Sequence, residues 1–155
     1  TTDGPTALIL TRQGLPVLDR GQGGDLADAF GVQRGGYVLS DAVDPQVVLV
    51  ASGSEVPLCL QAQEVLAARG VASRVVSMPC RERFLASEDD YRHGVLPEGV
   101  PVLAVEAGIS AGWRGLANDV VGIDTYGASA PAGDLAKAYG FTPENVADKA
   151  AALVG

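Results

Sequence analysis

Between Pro45 and Pro79 the chain reads PQVVLVASGSEVPLCLQAQEVLAARGVASRVVSMP, and this block restricts the fold more than any other stretch. Val47 to Ala51 is a continuous apolar run. Such a run suits a parallel strand covered on both faces, because it has no polar face to give to water. A helix-length segment follows. Ser54 is placed to be its N-cap, and Pro57 falls in the first turn, where a missing N–H costs nothing. Cys59, Ala62, Val65 and Leu66 supply an apolar stripe, and Gly70 is placed to end the helix at the C′ position. Val71 to Ser77 reads as a second strand. About 20 residues separate the two strands, ample for a right-handed βαβ crossover.

The rest of the chain keeps alternating. GGYVLSD gives a short strand around Gly36 to Ser40, and RERFLASEDDYRHG reads as polar helical turns anchored by Phe84 and Tyr91. Val100 to Val105 is a third parallel-type strand, SAGWRGLAND a short helix and VVGIDT a further short strand. Two helices close the chain. One runs from Pro131 to Gly140, and the other has Thr142 as N-cap with Pro143 at N1. The alternation predicts an α/β fold, a three-layer α/β/α sandwich around a mostly parallel sheet. Upstream, Thr6 to Thr11 reads as a buried strand. Arg20 to Gln33 is glycine-rich, notably at Gly21 to Gly24, and reads as a linker. The chain opens TTDGPTALIL, without methionine and almost directly in that strand, and so reads as a piece of something longer.

Composition narrows the function classes. Of the 155 residues 47% are hydrophobic and only 19% charged, which calls for a substantial aliphatic core. The net charge of −8 argues against a nucleic-acid or anionic-membrane partner, since phosphates would be repelled. No apolar run approaches the roughly 20 residues a membrane span needs, and no signal peptide is visible. Cys59 and Cys80 form no CxxC pair, and one histidine leaves no zinc set. Both cysteines read as reduced thiols of a cytosolic protein.

Four motifs could carry chemistry. In ALILTRQGLP, Arg12 ends an apolar run at a turn. A guanidinium at a strand end offers a planar fork for a phosphate or carboxylate; the alternative is a surface or interdomain salt bridge. ASGSEV could hold an anion at a helix N-terminus, but it lacks the Walker lysine and Glu55 would oppose the anion, so capping fits better. Glu106, in VEAGISAGWRG, could be a general acid or base in a cleft, or a carboxylate that orders a loop. Trp113 reads as a packing or interface anchor. His93 has no Ser, Cys or Asp partner in the sequence and reads as solvated. These residues define an α/β domain with one candidate anion-binding arginine, and they define no reaction.

The phrases GPTALILTRQGLP, GGYVL, VVLVASGSEV, RVVSMP, YRHGVLP, VEAG, YGASAP and YGFTPENV occur in an order that resembles the C-terminal part of transketolases. The resemblance covers essentially the whole chain. It departs at Gly14, where the family commonly has Asn, and at Tyr126 and Tyr139, where phenylalanine is frequent. It implies a five-stranded mixed sheet with one antiparallel strand. It implies that residues 1–33 are the last strand of a preceding domain plus a linker, and that 34–155 are the C-terminal domain. The activity implied is transfer of a two-carbon ketol unit between sugar phosphates by a cytoplasmic homodimer. Thiamine diphosphate and Mg²⁺ serve the full-length enzyme, on residues of the two preceding domains, so neither is expected on this chain. Arg12 matches the family's arginine that binds the substrate's phosphate. No catalytic, cofactor-binding or metal-binding residue is assigned, and the chain alone is expected to be inactive and structural. Without its neighbour's sheet, the Thr6–Thr11 strand is expected to pair with another sheet or molecule. The alternatives are a stand-alone α/β binding or regulatory module and the C-terminal domain of a related thiamine-diphosphate enzyme.

Overall fold

The structure is a computed structural model that describes residues 4–20 and 26–155. Five strands form one sheet: β1 (Tyr37–Ser40), β2 (Val47–Ala51), β3 (Ser73–Ser77), β4 (Val102–Val105) and β5 (Asp119–Val121). Their order is β1-β3-β2-β4-β5. β2 pairs in parallel with β3, from Val47 opposite Ser73 to Ala51 opposite Ser77, and also with β4. β5 adds in parallel to β4, while β1 lies antiparallel to β3 at the far edge.

β2 is the centre of the molecule, and every residue in it is fully buried. Its alternating side chains feed two cores. Val47, Leu49 and Ala51 meet α1 (Val56–Ala68) and α5 (Pro143–Val154) on one face. Val48 and Val50 join Met78, Phe84 and Trp113 on the other, under α2 (Arg81–Leu85) and α3 (Asp89–Val95). Each buried Val, Leu, Met or Phe side chain here contributes about 1.5–3 kcal/mol by leaving water. This is the three-layer sandwich and five-stranded mixed sheet expected from the sequence.

The helix signals resolve unevenly. Gly70 has φ +77, and the N–H groups of Gly70 and Val71 donate to Ala67 and Leu66 carbonyls, so it ends α1 as expected. α5 is capped by Thr142, whose hydroxyl accepts from Asn145 N. Ser54, however, is not the N-cap of α1. That position is Glu55, and the Ser54 hydroxyl donates to the Glu55 carboxylate instead. A turn closed by Val56 N–H on Gly53 O occupies residues 53–56 and delays the helix by one residue.

Other expectations are also corrected. Among the described residues Thr6–Thr11 is exposed and is not one of the five strands of the sheet. Within the supposed linker, Ala29–Arg34 is a 3-10 helix capped by the Asp28 carboxylate. It ends at Gly35, with φ +81, where a Cβ would collide with the Cys80 carbonyl and the Phe84 nitrogen. The glycine-rich stretch at 21–24 lies outside the described residues. SAGWRGLAND condenses to a single 3-10 turn, Ser110–Trp113. β3 and β4 each begin two residues later than their apolar runs suggest.

Candidate functional site

From β2 the chain moves to β3 on one side and then, through α2 and α3, to β4 on the other. The carboxyl ends of β2 and β4 therefore diverge into a crevice, the usual ligand position in open α/β sheets. Ser52 follows β2 and Glu106 follows β4, and the Ser52 hydroxyl donates to Glu106 at 2.6 Å. Glu55 stands beside them and is only 8% exposed. Burial pushes its carboxyl above the ordinary value, and the charge on Glu106 adds to the effect; the Ser54 hydroxyl, at 2.8 Å, works against it. Ser110 donates from both its nitrogen and its hydroxyl to Asp124, fixing the loop after β4 and holding that carboxyl below its ordinary value.

Two clefts open here. One, of about 410 Å³, is lined by Gln13, Ser54, Glu55, Leu58, Tyr139 and Phe141, among others. The second, of about 440 Å³, includes Ser52, Glu106, Arg81, Glu82 and Trp113. Arg81 donates to the Gly112 carbonyl and lies 5.3 Å from the Trp113 ring centroid, and the ring itself is buried. Trp113 is thus a packing anchor, and Glu106 orders the strand ends through Ser52.

Arg12 lies outside the crevice wall. It is exposed, at a turn closed by Gln13 N–H on the Thr11 hydroxyl at 3.2 Å, and it has no ion pair among the described residues. The residues just after it are tied to the domain. Gln13 lines the first cleft, Leu18 packs on the α1/α5 core, and Arg20 donates to Tyr37 OH and Ala27 O. His93 is exposed on α3 and has no part in either cleft. Cys59 is buried and Cys80 exposed.

The strand ends are acidic, which does not suit a diphosphate. Glu55 stands at the start of α1, where an anion would have to bind. Among the described residues no cluster of His, Cys, Asp or Glu could hold a metal ion. The sequence left Glu55 and Gln13 without a role. Burial of a polar residue is a tertiary fact, and the only local sign was a carboxylate directly after a strand-end glycine turn.

Residues 35–142 match the family described as the transketolase-like TK C-terminal domain. The chain belongs to the transketolase family. It is 47% identical to transketolase 2 of Xanthobacter flavus over 99% of its own length and 23% of that protein. It spans about a fifth to a quarter of the curated transketolases it matches. Its fold superposes on a Pichia stipitis transketolase solved with xylulose 5-phosphate, with TM-score 0.84 and 36% identity, covering 92% of this chain and 20% of that one. A split-gene transketolase, described as an inactive β4 tetramer, gives TM-score 0.56 and 25% identity over 79% of this chain and 44% of its own. The transketolase-like phrases converge in space. TRQ places Gln13, GSEV places Ser54 and Glu55, VEAG places Ala107, YGASAP places Gly127 and Ala128, and YGFT places Tyr139 and Phe141, all around the first cleft.

Proposed function

We propose that this chain works as the C-terminal portion of a transketolase that moves a two-carbon ketol unit between sugar phosphates, and that Arg12 binds the phosphate of the substrate. The observation that carries the reading is the match to transketolase 2 of Xanthobacter flavus along 99% of the chain. In the complete enzyme residues 1–33 supply the last strand of the preceding domain and a linker, and 34–155 form the C-terminal domain. Thiamine diphosphate, held with Mg²⁺ on the preceding domains, supplies the carbon chemistry. The acidic strand ends described above support placing that cofactor elsewhere. The complete enzyme is a cytoplasmic homodimer.

Arg12 suits the phosphate role chemically. A planar guanidinium binds phosphate through two parallel charge-assisted hydrogen bonds, and exposure without an ion pair leaves its fork available. Holding a phosphate far from the reacting carbonyl turns remote binding into orientation of the reacting end. The name of the split-gene relative, an inactive tetramer of one of its chains, supports inactivity of an isolated piece.

A ketol-transfer assay on the chain alone, with thiamine diphosphate and Mg²⁺ added, is expected to give no turnover. Turnover would overturn the placement of the catalytic apparatus on other domains. In the complete enzyme, Arg12→Ala is expected to raise KM for a ketose phosphate about tenfold or more, in line with a lost charge-assisted hydrogen bond.

A further inference from the structure

The geometry points to a separate binding site on this domain, a groove between α2 and residues 110–115 that takes a small phosphate monoester with neighbouring hydroxyls. Arg81 and Arg114 bind its phosphate, and Ser52 and Glu106 bind its hydroxyls. The site goes beyond the proposed function and does not depend on Arg12.

Two clefts adjoin and share Arg81, Glu82 and Gly112. The one of about 440 Å³ reaches the strand ends at Ser52 and Glu106. The other, of about 320 Å³, adds Arg114 and an apolar wall at Leu85 and Leu116. The chain leaves β2 for β3 on one side and then crosses to β4 on the other, so the first cleft sits at the switch point where open α/β sheets take ligands. None of the lining residues belongs to 1–33. The groove lies on the Trp113 side of the sheet, opposite the α1/α5 face on which Leu18 packs.

In a chain of net charge −8, two arginines line this groove. Arg81 is held in place. It donates to the Gly112 carbonyl and lies 5.3 Å from the Trp113 ring centroid. It also needs glycine at 112, because a Cβ there would come 2.6 Å from its Nη1. The other N–H groups of its fork make no hydrogen bond among the described residues. Glu82 stands 3.9 Å away with a side chain 80% exposed, a weak ion pair that a phosphate displaces at little cost. Arg114 is exposed and has no ion pair and no side-chain hydrogen bond among the described residues; its pull on Asp124 acts from beyond salt-bridge distance. Two guanidinium forks on one cleft match the oxygens of a phosphate. The other end selects hydroxyls. One Glu106 oxygen accepts from Ser52 at 2.6 Å, and the second receives no donor among the described residues. A carboxylate repels a phosphate and accepts from a sugar or polyol hydroxyl, so the ligand lies with its phosphate toward Arg114, away from the acidic strand ends.

The test uses the complete transketolase, with its other domains in place. The probe is sorbitol 6-phosphate, which carries a phosphate and hydroxyls but no carbonyl for ketol transfer. Equilibrium dialysis is expected to show one bound equivalent per subunit that survives Arg12→Ala. Arg81→Gln and Arg114→Gln should each weaken that equivalent about tenfold or more, the loss expected for a charged hydrogen bond. Arg114 has no ion pair to lose, so its variant should melt at the parent's temperature, which separates lost binding from lost folding. Glu106→Gln should weaken sorbitol 6-phosphate and leave the weaker binding of inorganic phosphate unchanged. Binding that disappears with Arg12→Ala, or that keeps its parental strength in both groove arginine variants, overturns the site. Equal loss of both probes in Glu106→Gln overturns the assignment of the hydroxyl end. If Arg12→Ala leaves KM for a ketose phosphate unchanged, the reading of Arg12 falls and this site stands.

Discussion

Glu55 lies at the start of α1, only 8% exposed, beside the carboxyl ends of β2 and β4. In the sequence it is one more carboxylate near a helix start, where acidic residues are common. In the fold it is buried against Ser54 and faces Glu106, so its charged form is disfavoured and its carboxyl titrates above the ordinary 4.5. A folded state that holds this proton more tightly than the unfolded chain is favoured at low pH. That contribution is complete below the ordinary value and is lost as pH rises through the raised one. Above the ordinary value Glu55 is therefore a cost to stability. Replacing it by the uncharged isostere Glu55→Gln should raise the melting temperature at pH 7, and the gain should vanish below pH 4.5. Thermal melts of both proteins across pH 4–8 measure this. A gain of equal size at every pH would show that burial of charge is not the cause.

The helices show how far local signals reach. α5 begins with Thr142 as cap and Pro143 at its first position, both expected from the sequence, and it packs on α1 and β2. Thr142 satisfies an N–H that would otherwise be left over, so Thr142→Ala should cost about 1 kcal/mol, read from the urea midpoint at unchanged slope. A midpoint within error of the parent would mean that water replaces the cap without loss. Strand signals are less self-sufficient. Val47–Ala51 and the run from Ala7 to Leu10 look alike as short apolar segments, yet the first is the fully buried centre of the sheet and the second is exposed. An apolar run reports that a segment wants burial. Whether it is buried depends on strand partners of matching register, and of these two segments only Val47–Ala51 has them among the described residues, in β3 and β4. The βαβ unit was legible because both strands and their crossover helix lie in one continuous stretch. Arg12 was legible as a candidate for its chemistry and its turn. Gln13 and Glu55 were not, since 42 positions in the sequence separate two residues that line one cleft only in the folded chain.

At the level of the whole molecule the two halves of the amphipathic balance are separated. The domain buries its aliphatic residues in two cores, while Leu8, Ile9 and Leu10 stand 80%, 93% and 72% exposed in consecutive positions. Their backbone groups pair with no strand of the sheet. Three adjacent apolar residues on an extended, unpaired segment form a template for another chain, and each side chain gains about 1.5–3 kcal/mol on burial. The chain alone should therefore associate with itself as concentration rises, although its net charge of −8 opposes association. The substitution Ile9→Lys separates the two effects. A lysine lowers the magnitude of the net charge to −7, since −8 + 1 = −7, so on net charge alone the variant should associate more. On the exposed-segment argument it should associate less, because a charge in the middle of the run blocks both strand pairing and apolar contact. Sedimentation velocity over a concentration series decides between them. Equal or stronger association of Ile9→Lys would show that the contact lies elsewhere on the domain.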